Sequence, residues 1–539
     1  MLRAYFRYNF AQIIGELKIS IAQAQEALMQ NPLIRNVIGF TLVVVAFVLL
    51  QGYKLFYYAP NPENIWDNVY LWDWARHLAE GKVGTFVDSS HHLMRWGDWT
   101  IPTIFIWLTS DSVLTYFLST IIPSSLGLLI FTWLSYRYIG FTAALVFVVL
   151  CFFDALLFRA TFQLLPSGQG MLPIALMTFM ALYINQKGIV GDSSSLSSQK
   201  LNLDWFSVIA SAGILFWVYG SKETHLALMP GFLWIVYKRF SFKPVWQICA
   251  LFAGLYVLET IAFIVISPTF SWLGRVYSLI NDGQHITIML EHAHYVAEQT
   301  RYFDSGITMR WARTSGMTPL VMYGGFLIAI LMFTENNSAK RSLSSNGQGA
   351  SAIQETTPKE SLVQFNYVMS VLFVSFIVFS TFFIISINPI RLGHGLVPRY
   401  ATVGLPIAYL LIIGFTTMRV SGRSKVYAFA MLAIVPFFIA PSIDRFKTYP
   451  KASIAQVASQ YETFAASLKG YDCVRSRTKS IVMNELDLIP TKFRDEKLTR
   501  MANDSTLLAY EDRWFVLKSD PDLECQNMYT IGRTRTARY

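Results

Sequence analysis

The chain is dominated by apolar runs of about 20 residues, each long enough for a helix to cross the hydrocarbon core of a bilayer. The first is 38–57, IGFTLVVVAFVLLQGYKLFY. Further runs fall at 113–136, 141–157, 171–184, 205–219, 226–237, 245–266, 320–333, 365–387, 402–415 and 426–440. They give about eleven spans, and up to about thirteen if short stretches such as 101–108 count as partial spans or interfacial helices. Only 14% of the residues are charged, against roughly 25% in a soluble domain. That deficit and a mean hydropathy of +0.40 exclude an ordinary soluble protein. They also exclude a disordered one, since there is ample apolar surface to bury. The expected fold is an all-α polytopic membrane domain with a small α/β extracytoplasmic domain at its C-terminal end.

Lys and Arg near the span ends set the orientation. Arg137, Lys187, Lys238, Arg239, Lys340, Arg341, Arg419 and Arg423 fall in alternate loops and place those loops, and the N-terminus, in the cytoplasm. The net charge of +10 is then an anchoring bias against anionic headgroups. No basic run is interleaved with aromatics outside the spans, so nucleic acid is not expected as a partner. Residues 1–35 read as a cytoplasmic amphipathic segment without a cleavable signal pattern. Residues 36–442 form the membrane domain, with outside loops 58–100 and 268–316. The Ser- and Gly-rich stretches 188–202 and 334–360 read as solvated cytoplasmic linkers.

An odd number of spans puts 443–539 outside, where strand-like runs occur at 480–483, 507–517 and 528–532. Cys473 and Cys525 are the only cysteine pair in a soluble segment, and an oxidising compartment would let them staple this small domain. The alternative is two free thiols in a cytoplasmic tail, which would invert the topology. Cys151 and Cys249 lie within spans as inert thiols. The expected location is a bacterial inner membrane, with the N-terminus cytoplasmic and the C-terminus periplasmic.

The first outside loop, 58–100, carries five Trp and three His among six carboxylates. Val69, Trp72, Arg76 and Ala79 share one face of a short helix expected to lie on the outer membrane surface. Asp67 sits at the start of that helix among Trp66, Tyr70 and Trp72. Partial desolvation there would make it a better base; equally, Asp67 could cap the helix. Asp73 reads as a solvated surface residue. The second long loop places Glu291, His294 and Glu298 on one helical face, with His292 beside them. Glu291, His292 and His294 could hold a divalent metal, or the segment could be an acceptor-binding or merely amphipathic lid. No other cofactor is indicated. Asp154, inside the third span, is an intramembrane charge and a functional candidate by default; it could instead pair with Arg159.

Three short motifs stand in a fixed order: D-x-x-Y…A-R-x-L-A-x-G from Asp67, SKETHLALMP around Lys222, and LVPRYATVGLPIAYLL around Arg399. With the single span before the acidic aromatic loop and the soluble outside domain, this layout resembles the integral-membrane glycosyltransferases of the GT-C class. It is most similar to the branch of protein O-mannosyltransferases and lipid A aminoarabinose transferases. Two features depart from that branch: Asp67 is followed by Asn68 instead of Glu, and Lys222 by Glu223-Thr224 instead of Gly-Pro.

The resemblance implies an inverting transfer of a sugar from a polyprenyl-phosphate-linked donor to an acceptor glycan, lipid or protein at the outer face. Such a reaction needs a base for the acceptor proton and cations aimed at the departing phosphate. It also needs an apolar groove for the lipid tail. The motifs assign Asp67 as the base and Lys222 and Arg399 as phosphate ligands, with Tyr70 in the substrate site. Arg391 and His394 lie on the loop before Arg399, and Arg95 is a possible third anchor. The plain alternative for each outside cation is snorkelling to headgroups. Two rival functions stay open: a transporter or flippase of a lipid-linked sugar, and a non-catalytic scaffold of the same fold.

Overall fold

The computed structural model describes residues 32–57, 95–110, 112–162, 164, 166–194, 203–266, 321–333, 358–387 and 402–420. It also describes parts of 71–81 and of 426–459, and four strands beyond 472. The helices are α1 Pro32–Tyr57, α2 Trp96–Leu108, α3 Val113–Tyr138, α4 Phe141–Phe153, α5 Ala155–Phe162, α6 Pro166–Gln169 and α7 Met171–Ser194. They continue with α8 Trp205–Ser221, a 3-10 turn at Glu223–Leu228, α9 Met229–Phe240 and α10 Phe242–Ile266. Then come α11 Val321–Phe333, α12 Pro358–Ile387 and α13 Leu405–Val420.

The expected apolar runs up to 402–415 fall mainly on these helices, except that 141–157 is divided between α4 and α5 and 226–237 begins in the 3-10 turn. Among the described residues, five stretches are by length and composition able to cross a membrane: Asn36–Tyr57, Leu114–Tyr138, Ser167–Ile189, Phe242–Val265 and Glu360–Ser380. The pair Phe141–Phe153 and Leu156–Phe162 makes six if its 76° bend belongs to one span. Trp205–Ser221, Val321–Phe333 and Leu405–Val420 are apolar but shorter. The 188–202 linker begins later than expected, because α7 continues to Ser194 with Gly188 packed against the Arg239 side chain.

Lipid tails are as apolar as leucine, so helices in a bilayer associate through close packing and buried hydrogen bonds. The bundle follows that rule. α3 packs most extensively on α7. A Cβ on Gly127 would lie 2.6 Å from the Met171 backbone, so only glycine permits that approach. Ser375 on α12 accepts from the Gly231 amide (2.9 Å) and donates to the Ala227 carbonyl (2.7 Å), fastening α12 to the start of α9. α1 and α10 lie at the periphery and turn large apolar side chains outward, among them Leu49, Phe56, Leu258 and Val265. Such surfaces are stable against lipid and would be a liability in water.

The C-terminal strands β1 Cys473–Ser476, β2 Leu508–Glu511, β3 Trp514–Leu517 and β4 Met528–Ile531 form one sheet in the order β2-β3-β1-β4. β2 and β3 pair antiparallel with Glu511 opposite Trp514, which resolves the 507–517 run into a hairpin. β1 was not anticipated; the 480–483 run lies outside the described residues. β1 runs parallel to β4, with Cys473 opposite Met528. Cys525 lies outside the described residues, and the expected Cys473–Cys525 bond with it. Of the span cysteines, Cys151 is buried and Cys249 half-buried, both free thiols.

Candidate functional site

At one end of the bundle, the start of α2 crosses the end of α8. A Cβ on Gly97 would lie 2.6 Å from the Ser221 amide nitrogen, and one on Gly220 would lie 2.4 Å from the Trp96 ring. The two glycines interlock the helices, and the residues flanking the contact are Arg95 on one side and Lys222 on the other. Lys222 leaves α8 in extended conformation and opens the 3-10 turn, where the His225 amide donates to its carbonyl at 3.0 Å. Arg95, Asp98, Lys222 and His225 are all buried.

On the neighbouring helix, the Tyr219 hydroxyl donates to Glu259 Oε2 at 3.0 Å. Arg95, Asp98, Lys222, His225 and Glu259 are each engaged by neighbours. Arg and Lys carry five and three N–H donors respectively, which leaves capacity for a further acceptor. Charged groups this deep persist only when paired or hydrogen-bonded, so the end of the bundle gathers buried polar groups within an apolar frame.

The described part of the first loop packs into the protein. Leu71, Trp72, Ala75 and Arg76 are buried. Trp72 meets the Tyr116 ring edge-on at 5.3 Å. Leu71, Trp72 and Ala75 share an apolar cluster with Phe117 of α3, Phe152 of α4 and Phe158 and Phe162 of α5. Of the expected face, Val69 lies outside the described residues; Trp72 and Ala79 pack inward against aromatics supplied by three other helices, and Arg76 is buried.

Asp154 sits at the break between α4 and α5. Its Oδ1 accepts from the Leu156 and Leu157 amides, both at 2.9 Å, which caps α5. Its Oδ2 accepts from the Tyr409 hydroxyl of α13 at 2.7 Å. Lys54 of α1 is fully buried nearby and interacts electrostatically with Asp154. Its Nζ lies 5.1 Å from the ring centres of both Phe152 and Phe158.

At the opposite end of the bundle, Arg239 donates to Asn185 Oδ1 (2.8 Å) and Gln364 Oε1 (2.9 Å). Lys187 pairs with Asp204, which caps α8 by accepting from the Ser207 amide at 2.8 Å. The Lys187 ammonium first, and then the Ser207 amide, hold the Asp204 carboxyl well below the usual carboxylate range.

Of the residues expected from sequence, the structure brings Arg95 and Lys222 to the same crossing. Asp67, Tyr70, Arg391, His394, Arg399, Glu291, His292 and His294 lie outside the described residues. Among the described residues, no group of three or more His, Cys, Asp or Glu is placed to hold a metal ion. Three buried polar residues were missed. Glu259 and Lys54 lie inside apolar runs, and charge within a span was the signal that could have found them. His225 follows Lys222 by three residues in a quoted motif, the spacing that a 3-10 turn stacks.

No family model and no curated protein matches the chain. A structure search finds the crystal structure of the Archaeoglobus fulgidus oligosaccharyltransferase in complex with zinc and sulfate, at 10% identity and a TM-score of 0.45. The match covers 85% of this chain and 58% of that one, so the chain spans little more than half the length of that protein. The likeness is too distant to carry residue roles across.

Proposed function

We propose that this protein is a membrane glycosyltransferase that moves a sugar from a polyprenyl-phosphate-linked donor to an acceptor glycan, lipid or protein. The meeting of Arg95 and Lys222 carries this reading: two cations from distant segments are buried at one end of an apolar bundle. A lipid phosphate is the ligand chemistry that asks for this combination, an anionic group held by cations and a tail held by apolar helices. Lys222 also stands in a motif that resembles the middle-loop lysine of GT-C enzymes. About eleven spans, the 1–35, 36–442 and 443–539 division and a bacterial inner membrane location belong to the same proposal.

In the proposed reaction Asp67 takes the proton of the acceptor hydroxyl or amine. The acceptor atom bonds to the sugar's anomeric carbon as the bond from that carbon to the phosphate oxygen breaks, inverting the centre. The electron pair leaves with the polyprenyl phosphate. Its growing negative charge is met by Lys222 and Arg95, with Arg399, Arg391 and His394 completing the set and Tyr70 contacting substrate. Preorganised cations in a site with little water stabilise such charge far better than exposed ones.

The test is turnover by the full chain in lipid nanodiscs, given a panel of polyprenyl-phosphate sugars with release of polyprenyl phosphate as the readout. Release that stops in Asp67→Asn supports the proposal. Movement of the lipid-linked sugar across liposomes without any release would favour the transporter reading.

A further inference from the structure

The Lys54–Asp154 cluster lies outside the proposed transfer chemistry, and its geometry is unusual in one respect. Asp154 is fully furnished with donors: two α5 amides and the Tyr409 hydroxyl. Lys54 Nζ is buried with no hydrogen-bond partner among the described residues. It is held by the faces of Phe152 and Phe158, within the range of a cation–π contact. A lysine so placed, near the end of α1, could have reached headgroups by extending its stem. Instead it is turned inward onto the break between α4 and α5.

Phe152 and Phe158 have a second role. They belong to the apolar cluster that receives Leu71, Trp72 and Ala75 of the first loop. The rings that hold the ammonium therefore also form the seat of the loop helix. Lys54 lies three residues from the end of α1, where the chain enters that loop. Asp154 ties the same seat to α13 through Tyr409. We propose that Lys54 and Asp154 are positioning residues: the Lys54 ammonium grips Phe152 and Phe158, the Asp154 carboxylate caps α5 and holds Tyr409, and together they fix the α4–α5 break that seats Leu71, Trp72 and Ala75 of the first outside loop.

Each residue acts on the break through its own contacts, so each is tested alone and both together. Lys54→Met fills the lysine stem's volume but removes the cation from the rings, and Asp154→Asn keeps an acceptor for the α5 amides but removes the charge at the α5 N-terminus. The experiment is hydrogen exchange read by mass spectrometry on the full chain in nanodiscs. In each single variant, amides in 71–81 are expected to exchange about tenfold faster or more, while α7 and α12 keep wild-type protection. In Lys54→Met/Asp154→Asn, 71–81 should exchange at least as fast as in either single variant. If these variants do not insert, Lys54→Arg, which keeps a cation over the rings, decides alone, and it must insert with 71–81 protected. Three results would overturn the proposal: folded variants with unchanged protection at 71–81, loss spread evenly over all helices, or a Lys54→Arg chain as exposed as Lys54→Met or unable to insert. The readout needs no turnover, so it stands or fails separately from the transfer reaction.

Discussion

At the end of the bundle that holds Arg239, partly exposed charged side chains meet identifiable polar partners: Arg239 with Asn185 and Gln364, and Lys187 with Asp204. At the other end, Arg95, Asp98, Asp154, Lys222 and His225 are drawn inside, together with Lys54. The first arrangement suffices to anchor helix ends. The second costs desolvation for every charge, and a fold keeps such an arrangement where the charges meet something of their own. One end therefore reads as structure and the other as a site.

The sharpest way to break this contrast is to remove charge at each end in turn. Lys222→Gln with Arg95→Gln is expected to lower transfer about 100-fold or more, the scale of removing a preorganised contact to developing charge. Lys187→Gln with Arg239→Gln should leave turnover within a few-fold of wild type. Steady-state release of polyprenyl phosphate distinguishes the two. Comparable losses at both ends would erase the distinction.

A second perturbation acts on geometry rather than charge. Gly97→Leu drives a side chain into the Ser221 backbone and should separate α2 from α8. Overpacking of this kind costs about 1–3 kcal/mol. Thermal unfolding in detergent would register the cost, and transfer should fall further than stability does, because Arg95 and Lys222 flank the displaced contact.

The sequence made the membrane class legible because periodicity and length alone identify apolar spans. Arg95 and Lys222 drew notice in the sequence, with other cations, because the expected orientation puts them where positive charge is disfavoured. The inward packing of the first loop was not legible. Trp72 and Arg76 suit a membrane surface as well as a core, and what decides is the aromatic seat supplied by α3, α4 and α5. Lys54 was hidden because a lysine near a span end has an ordinary reason to be there. Its seat on the Phe152 and Phe158 rings is a tertiary contact between distant segments. The bend after Phe153 was equally hidden, since an apolar run does not announce where a helix breaks.

Smaller effects sharpen the structural side. Ser375→Ala removes both the acceptor for Gly231 and the donor to Ala227. It should cost about 1–2 kcal/mol in thermal stability with donor use unchanged. The smallest effect concerns Asp204. Its carboxyl is held below its unfolded value, so its contribution is complete above the unfolded carboxyl range and fades as pH falls through the folded value. Because the pair with Lys187 is partly exposed, screening keeps that contribution small. Lys187→Gln should therefore flatten the acid limb of the stability profile only slightly.

The central claim is that the buried polar end binds a lipid phosphate, and native mass spectrometry of the intact protein with added polyprenyl phosphate tests it most directly. The account predicts a retained lipid phosphate in wild type and in Lys187→Gln/Arg239→Gln, and at least a tenfold loss in Arg95→Gln/Lys222→Gln. Equal retention in both double variants, or loss only when the Lys187 and Arg239 end is altered, would contradict it.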